Sequence, residues 1–282
     1  MNLLPSRGSV KAEGVRPTVI CLDPGLGVTL QRQSLPEHLG FRNRVLAPEL
    51  RAYAASRASG TPLSLDAEAA LIARLVDAIP GKVYLVGHGY GAAVALRLAL
   101  ARRERIAGLV LYEPTLFSLL LADPGSRDAA MDIAVLRTVL GRYLDAGDWF
   151  RAALRYVEHW SGAGAWERLS TPQRAAIAWR MPELCARLDA TLADPTHPSV
   201  YAALDIPVLL LSGTRTRAST GRIAELLART LPRAERHERT RRNGPSENRQ
   251  SERQGPAQAP PPAMRPMLRA SGLEARVSPL QL

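Results

Sequence analysis

Lysine is nearly missing from this chain: of its 37 basic residues only Lys11 and Lys82 are lysine, and the rest are arginine. The two cysteines, Cys21 and Cys185, cannot frame a disulfide-stapled domain, and no Cys/His cluster has zinc spacing, so no metal is expected. Long apolar runs are missing too. The richest, Ala107 to Ala122, is broken by Glu113 and Pro114 and falls short of the roughly 18 residues that a spanning helix needs. Met1 to Arg7 lacks the basic start and apolar centre of a secretory leader. A soluble cytoplasmic protein with no membrane partner is the expectation. The formal charge of +11 suggests nucleic acid, but it is not gathered into a stripe. Residues 233–282 hold ten Arg against five Glu and no Phe, Tyr or Trp to stack on bases, so no nucleic-acid partner is expected.

What is present is an alternation of strand-length apolar runs and helix-period segments. Pro17 to Leu22 is a strand ended by the turn Asp23-Pro24-Gly25-Leu26-Gly27, and Arg44 to Ala47 is a second, closed by Pro48. Ser64 caps a helix carrying Leu71, Ile72, Leu75, Val76 and Ile79, which Pro80-Gly81 stop. Val83 to Val86, Gly108 to Tyr112 and Val208 to Leu211 are further strands. A helix from about Gly91 to Ala101 follows the third strand, and Ser219 or Thr220 caps a last helix with Ile223, Leu226, Leu227 and Leu231. Such alternation predicts an α/β fold with a mostly parallel sheet covered by helices on both faces. Between Leu116 and Tyr201 only helices are legible, one starting at Thr171-Pro172, which reads as a helical insertion. Beyond Leu231 the grammar changes: residues 233–282 carry seven Pro and little periodicity, and are expected to be a disordered Arg/Pro-rich tail. The predicted domain is therefore residues 1–232. The abrupt change near Arg233 is what a reading-frame shift in a GC-rich gene would produce.

The informative stretch is Val83-Tyr-Leu-Val-Gly87-His88-Gly89-Tyr90-Gly91-Ala92: strand, sharp turn, helix. Small residues at 87, 91 and 92 let strand and helix backbones nearly touch around position 89. The stretch resembles the nucleophile elbow of the α/β-hydrolase family, usually Gly-x-Ser-x-Gly, with Gly87, His88 and Gly91 as its frame. The resemblance covers most of residues 17–231. It takes in the Pro24–Gly27 turn, similar to the family's oxyanion loop, the strand ending Tyr112-Glu113-Pro114, a helical lid at 116–200, and the strand ending Leu211-Ser212-Gly213. It implies a parental activity of hydrolysing ester or amide-like bonds in small apolar substrates, without a cofactor. It also implies an oxyanion hole from the backbone N–H groups of Tyr90 and Leu26.

The departures from the family pattern bear most on function. Gly89 stands where the family carries serine, so no covalent acyl-enzyme can form there. The acid after the late strand would fall near Thr216, which is not an acid; Glu113 is either a substitute or an ordinary strand-end carboxylate paired with an arginine. His38, His88, His159 and His197 are not placed as the base. His237 lies only six residues past the last helix, too early for a further strand and loop. A side chain at an elbow costs about 1–3 kcal/mol of backbone strain, and glycine avoids it. The expected product is an impaired hydrolase. Two other readings stay open. Gly87-x-Gly89-x-x-Ala92 with Glu113 some twenty residues on also matches an NAD(P)-binding fingerprint. Alternatively the fold binds a small molecule or partner without turnover, in a core/lid pocket lined by Trp149, Phe150, Tyr156, Trp160, Trp166 and Trp179, unless these rings only pack the lid. The sequence does not set the oligomeric state.

Overall fold

The computed structural model describes residues 17–22, 44–214 and 216–239. Six strands form one sheet: β1 (Thr18–Leu22), β2 (Arg44–Leu46), β3 (Val83–His88), β4 (Ile106–Tyr112), β5 (Val208–Gly213) and β6 (Ala234–Arg239). Their order is β2-β1-β3-β4-β5-β6, and every neighbouring pair is parallel. A parallel sheet needs crossovers, and the helices supply them: α1 (Ala52–Ser59), α2 (Leu65–Ala78), α3 (Tyr90–Ala101), α4 (Ser118–Ala122), α5 (Arg127–Asp145), α6 (Trp149–Ser161), α7 (Thr171–Leu192) and α8 (Ala218–Thr230). Helices α4 to α7 form the predicted insertion between β4 and β5, followed by a 3₁₀ turn at Pro198–Ala203.

Alternation along the strands sorts side chains between two cores. Ile20, Leu22, Leu85, Leu109, Leu111 and Leu210 join the larger one with the buried faces of α2, α3, α8 and the insertion helices. Val19, Val110, Tyr112, Leu209 and Leu211 form the smaller one, which among the described residues is built of strand side chains. Ser64 caps α2 as expected, its hydroxyl accepting the Ala67 N–H at 3.1 Å, with Asp66 and Glu68 in the first turn. Among the described residues no helix is long and apolar enough to cross a membrane.

Four local expectations change. The helix after β3 starts at Tyr90, one residue before Gly91. Helix α7 is capped by Ser170 rather than Thr171: Ser170 accepts from Gln173 N–H while the Gln173 side chain accepts the Ser170 N–H at 2.9 Å, a reciprocal box that places Pro172 in the first turn. Helix α8 begins at Ala218 after Arg217, with neither Ser219 nor Thr220 as its cap, because both lie inside its first turn and are buried. The largest change is at the C-terminal end. Residues 234–239, expected to start the disordered tail, form β6, paired with β5 over six positions from Val208↔Ala234 to Gly213↔Arg239. The domain thus extends past residue 232. The rest of the expected tail, residues 240–282, lies outside the described residues.

Candidate active site

The carboxyl ends of the central strands meet at the turn from β3 into α3. Gly87 pairs with Leu22 of β1 and Leu111 of β4, so it is fixed from both sides. A Cβ there would stand 2.5 Å from Ala92 Cα and 2.7 Å from both Ala92 N and Gly91 O, so strand and helix touch through glycine. Gly89 is the residue before α3, with φ 53° and ψ −117°. Its N–H donates to Tyr112 O at 3.0 Å, and its carbonyl accepts from Ala92, Ala93 and Thr115 N–H groups at 3.1 to 3.3 Å. The corner is therefore tied to the helix it opens and to the segment leaving β4. This is the backbone a nucleophile elbow requires, presented without a side chain.

Tyr90, the first helical residue, has its backbone N–H in the turn where no intrahelical acceptor exists. An N–H left uncommitted at a helix start is the kind of group that can donate to an oxyanion. The second predicted donor, Leu26, lies outside the described residues, as do the Pro24–Gly27 turn and His38. His88 ends β3, with its ring edge-on to Tyr112 at 4.8 Å between centroids.

Glu113 follows β4 at φ 44°, the sole non-glycine residue with positive φ among those described. Its N–H donates to Leu211 O at 3.0 Å. Among the described residues its carboxylate meets no arginine. Oε1 accepts from the Gly213 N–H at 3.3 Å and from the Thr216 hydroxyl, and Thr216 also accepts the Gly213 N–H at 2.7 Å. Glu113 thus reaches across from β4 into the corner after β5, where the family's acid was sought. The strained backbone of Glu113 and its two local donors hold one carboxylate oxygen in place.

The other imidazoles among the described residues are engaged elsewhere. His159 of α6 lies between Arg217, whose Nη2 is 3.3 Å from Nδ1, and Asp132, 3.7 Å from Nε2, with Trp160 edge-on at 4.7 Å. Burial, reinforced by Arg217 and opposed by Asp132, pushes its pKa down to about 4, so it is uncharged at neutral pH. His197 accepts the Ser199 N–H at 3.3 Å at the head of the 3₁₀ turn. His237 sits in β6 opposite Leu211, 3.7 Å from Glu235. A further strand does form there, and His237 lies within it rather than in a loop after it. No histidine follows in residues 240–282.

A second polar group lies behind the elbow and was not legible in the sequence. Arg187 of α7 places its guanidinium 5.0 Å from the centre of the Tyr90 ring and donates through Nη2 to Leu50 O at 3.1 Å and Glu183 Oε1 at 2.6 Å. Glu68 of α2 has no exposed surface, and its Oε1 accepts the Ala52 N–H at 3.1 Å. Burial raises the Glu68 pKa against the pull of the Ala52 N–H and Arg187. This cluster ties the insertion to the core helices beside the elbow.

The rings expected to line a core/lid pocket make the following contacts among the described residues. Phe117 and Trp160 stack at 6.2 Å, Tyr156 lies edge-on to Trp160, and Trp166 is buried under Arg174. Trp179, 70% exposed, meets Trp149 edge-on on the outside of the insertion, and Phe150 is exposed as well. A cavity of about 420 Å³ does open beside Glu113's partners Gly213 and Thr216, and no aromatic ring lines it.

A parallel sheet whose third strand turns into a helix through a glycine-framed elbow fits an α/β hydrolase, and the chain belongs to the alpha/beta hydrolase family, whose sequence model matches residues 19–244. That match includes β6 and ends within a few residues of it. Among curated proteins the chain is similar to lipase LipV of Mycobacterium tuberculosis, 31% identical over 129 residues, which is 45% of this chain and 43% of the lipase. The chain thus matches less than half the length of that relative. Among solved structures it is similar in fold to an alpha/beta hydrolase from Sphaerobacter thermophilus (TM-score 0.57, 21% identity, 82% of this chain and 87% of that one). It is likewise similar to MenH from S. aureus (TM-score 0.58, 16% identity, 80% and 85%).

Proposed function

We propose that this chain keeps the binding scaffold of an esterase- or lipase-like hydrolase and has lost turnover. The observation that carries the reading is Gly89, which holds the elbow's backbone angles with no reactive atom to present. Acyl transfer needs a nucleophile and a base within hydrogen-bond reach of it. Among the described residues His159, His197 and His237 are held by other partners, and residues 238–282 contain no histidine. What persists is the acid position, taken by Glu113, and the Tyr90 N–H, to which a loop donor such as Leu26 would add the second arm of an oxyanion hole. A hole alone sustains about 10³–10⁴-fold over water in serine proteases, which sets the upper limit here. The ligand class, by relation to the matched lipase, is a small apolar ester or amide held between the sheet and the insertion acting as a lid, without a cofactor.

The dinucleotide reading has less support. Glu113 would have to face a ribose, whereas its Oε1 is taken by Gly213 and Thr216. Steady-state hydrolysis of p-nitrophenyl esters of increasing acyl length by the purified chain tests the proposal. Rates equal to a denatured control for every ester support it, and a saturable, chain-length-dependent rate refutes it.

A further inference from the structure

Strand β6 is last in the sheet, with β5 as its one neighbour among the described residues. Its backbone groups divide between the two sides. Val208 donates to Arg233 O at 3.0 Å and stands in register with Ala234. In a parallel ladder this aims the N–H and C=O groups of residues 233, 235 and 237 at β5, and those of Ala234, Arg236 and Glu238 away from it. An edge of that kind is a template for another strand. Charges on an edge ordinarily discourage such pairing, but here both signs are present and ordered. Reading Glu235-Arg236-His237-Glu238-Arg239 from its two ends toward His237, each glutamate meets an arginine.

From this pattern we infer that β6 pairs antiparallel with β6 of a second copy of the chain, centred on His237, in a two-fold dimer with one continuous sheet. The inference is independent of whether position 89 supports turnover. In this register Arg236 stands opposite Glu238 on both sides of the axis. These are the residues whose N–H and C=O groups face outward, so each pair exchanges both of its backbone bonds and sets opposite charges side by side on one face. Moving the register by two residues sets Arg236 against Arg236 or Glu238 against Glu238. Moving it by one sets outward-facing groups against inward-facing ones. Both Arg236 and Glu238 are exposed. Glu225 of α8, 3.5 Å from Arg236, steadies that guanidinium, which has five N–H donors and so can meet a second carboxylate. Glu238 has no ion pair among the described residues. The seam is only six positions long on each chain, so the dimer belongs to the small, weak class and dissociates at micromolar concentrations.

Sedimentation velocity of the full chain across micromolar concentrations tests this, and a concentration-dependent shift from monomer to dimer is expected. Glu238→Arg and Arg236→Glu each turn both cross-strand pairs into like charges, and each is expected to weaken the dimer at least about tenfold. Mixed together, the two variants restore opposite charges at both pairs, so an equimolar mixture is expected to dimerise as the parent does. A variant that merely misfolds cannot produce that rescue. Mild oxidation of His237→Cys is expected to give a disulfide-linked dimer, because a non-hydrogen-bonded antiparallel pair brings its Cα atoms to about 4.5 Å, within disulfide reach. The inference is overturned by a parent chain that stays monomeric throughout, or by a dimer that neither charge reversal weakens. A mixture no more dimeric than its components, or His237→Cys that does not cross-link, would overturn it equally.

Discussion

Restoring the serine that the family carries at position 89 separates the cost of the elbow from its chemistry. The backbone at this residue sits at φ 53° and ψ −117°, pinned by the Tyr112 carbonyl on one side and by three N–H donors on the other. It cannot relax without breaking the start of α3. A residue with a Cβ in such a region costs about 1–3 kcal/mol, whereas glycine adopts it freely. Loss of glycine also restricts the unfolded chain, which returns about 0.4–1 kcal/mol. The net expectation for Gly89→Ser is a destabilisation of about 1–2 kcal/mol, and each kcal/mol corresponds to roughly 2–4 °C in Tm for a domain of this size. Gly89→Ala should match it within about 0.5 kcal/mol, because the Cβ and not the hydroxyl carries the penalty. Calorimetry together with denaturant titration of the parent and both variants measures this. Neither variant should hydrolyse an activated ester if, as proposed, His159, His197 and His237 remain with their other partners. The reasoning is refuted if both substitutions leave stability unchanged or raise it. Ester turnover by Gly89→Ser would refute the missing base.

Three further outcomes follow from the same contacts. Gly87→Ala drives a Cβ to within 2.5 Å of the Ala92 backbone, so it should destabilise by about 3 kcal/mol or more and lower soluble yield, read by denaturant titration. Arg187→Met leaves Glu183 and the fully buried Glu68 without their cation and should cost about 3–5 kcal/mol, whereas a surface arginine such as Arg57 should cost under about 0.5 kcal/mol. His159, held near pKa 4 against an ordinary 6.5, takes up its proton later in the folded than in the unfolded chain. Its contribution is complete above pH 6.5 and is lost as the pH falls toward 4, up to about 3 kcal/mol. Unfolding free energies at pH 7 and pH 5 should therefore fall more steeply for the parent than for His159→Gln.

The sheet was legible where apolar runs stop at turn residues. β1, β3, β4 and β5 are such runs, and burial on both faces makes them so. β6 was not legible for the opposite reason. Its sequence, Ala-Glu-Arg-His-Glu-Arg, has no apolar run, because the strand is last in the described sheet, with one hydrogen-bonding neighbour, and none of its described side chains is fully buried. The Ser170 cap was a matter of three residues: Gln173 completes a box with Ser170 and not with Thr171. The elbow could be read because a close approach demands small residues at fixed spacing, and Gly87 meets that demand. The partners of Glu113 could not be read. Thr216 is 103 residues away, and only the pairing of β4 with β5 brings them together. The buried cluster of Glu68 and Arg187 was hidden in the same way, since each alone reads as a solvated charge on a helix face.

Covalent capture reports most directly on whether the elbow lacks a reactive atom. The folded chain is incubated with an excess of an alkyl fluorophosphonate, its intact mass is recorded, and any adduct is located by peptide mapping. An unmodified mass under conditions that label a serine hydrolase to completion is expected. A stoichiometric phosphonyl adduct on any residue of the segment 87–92, formed by the folded chain and lost on denaturation, would show that a nucleophile is present after all.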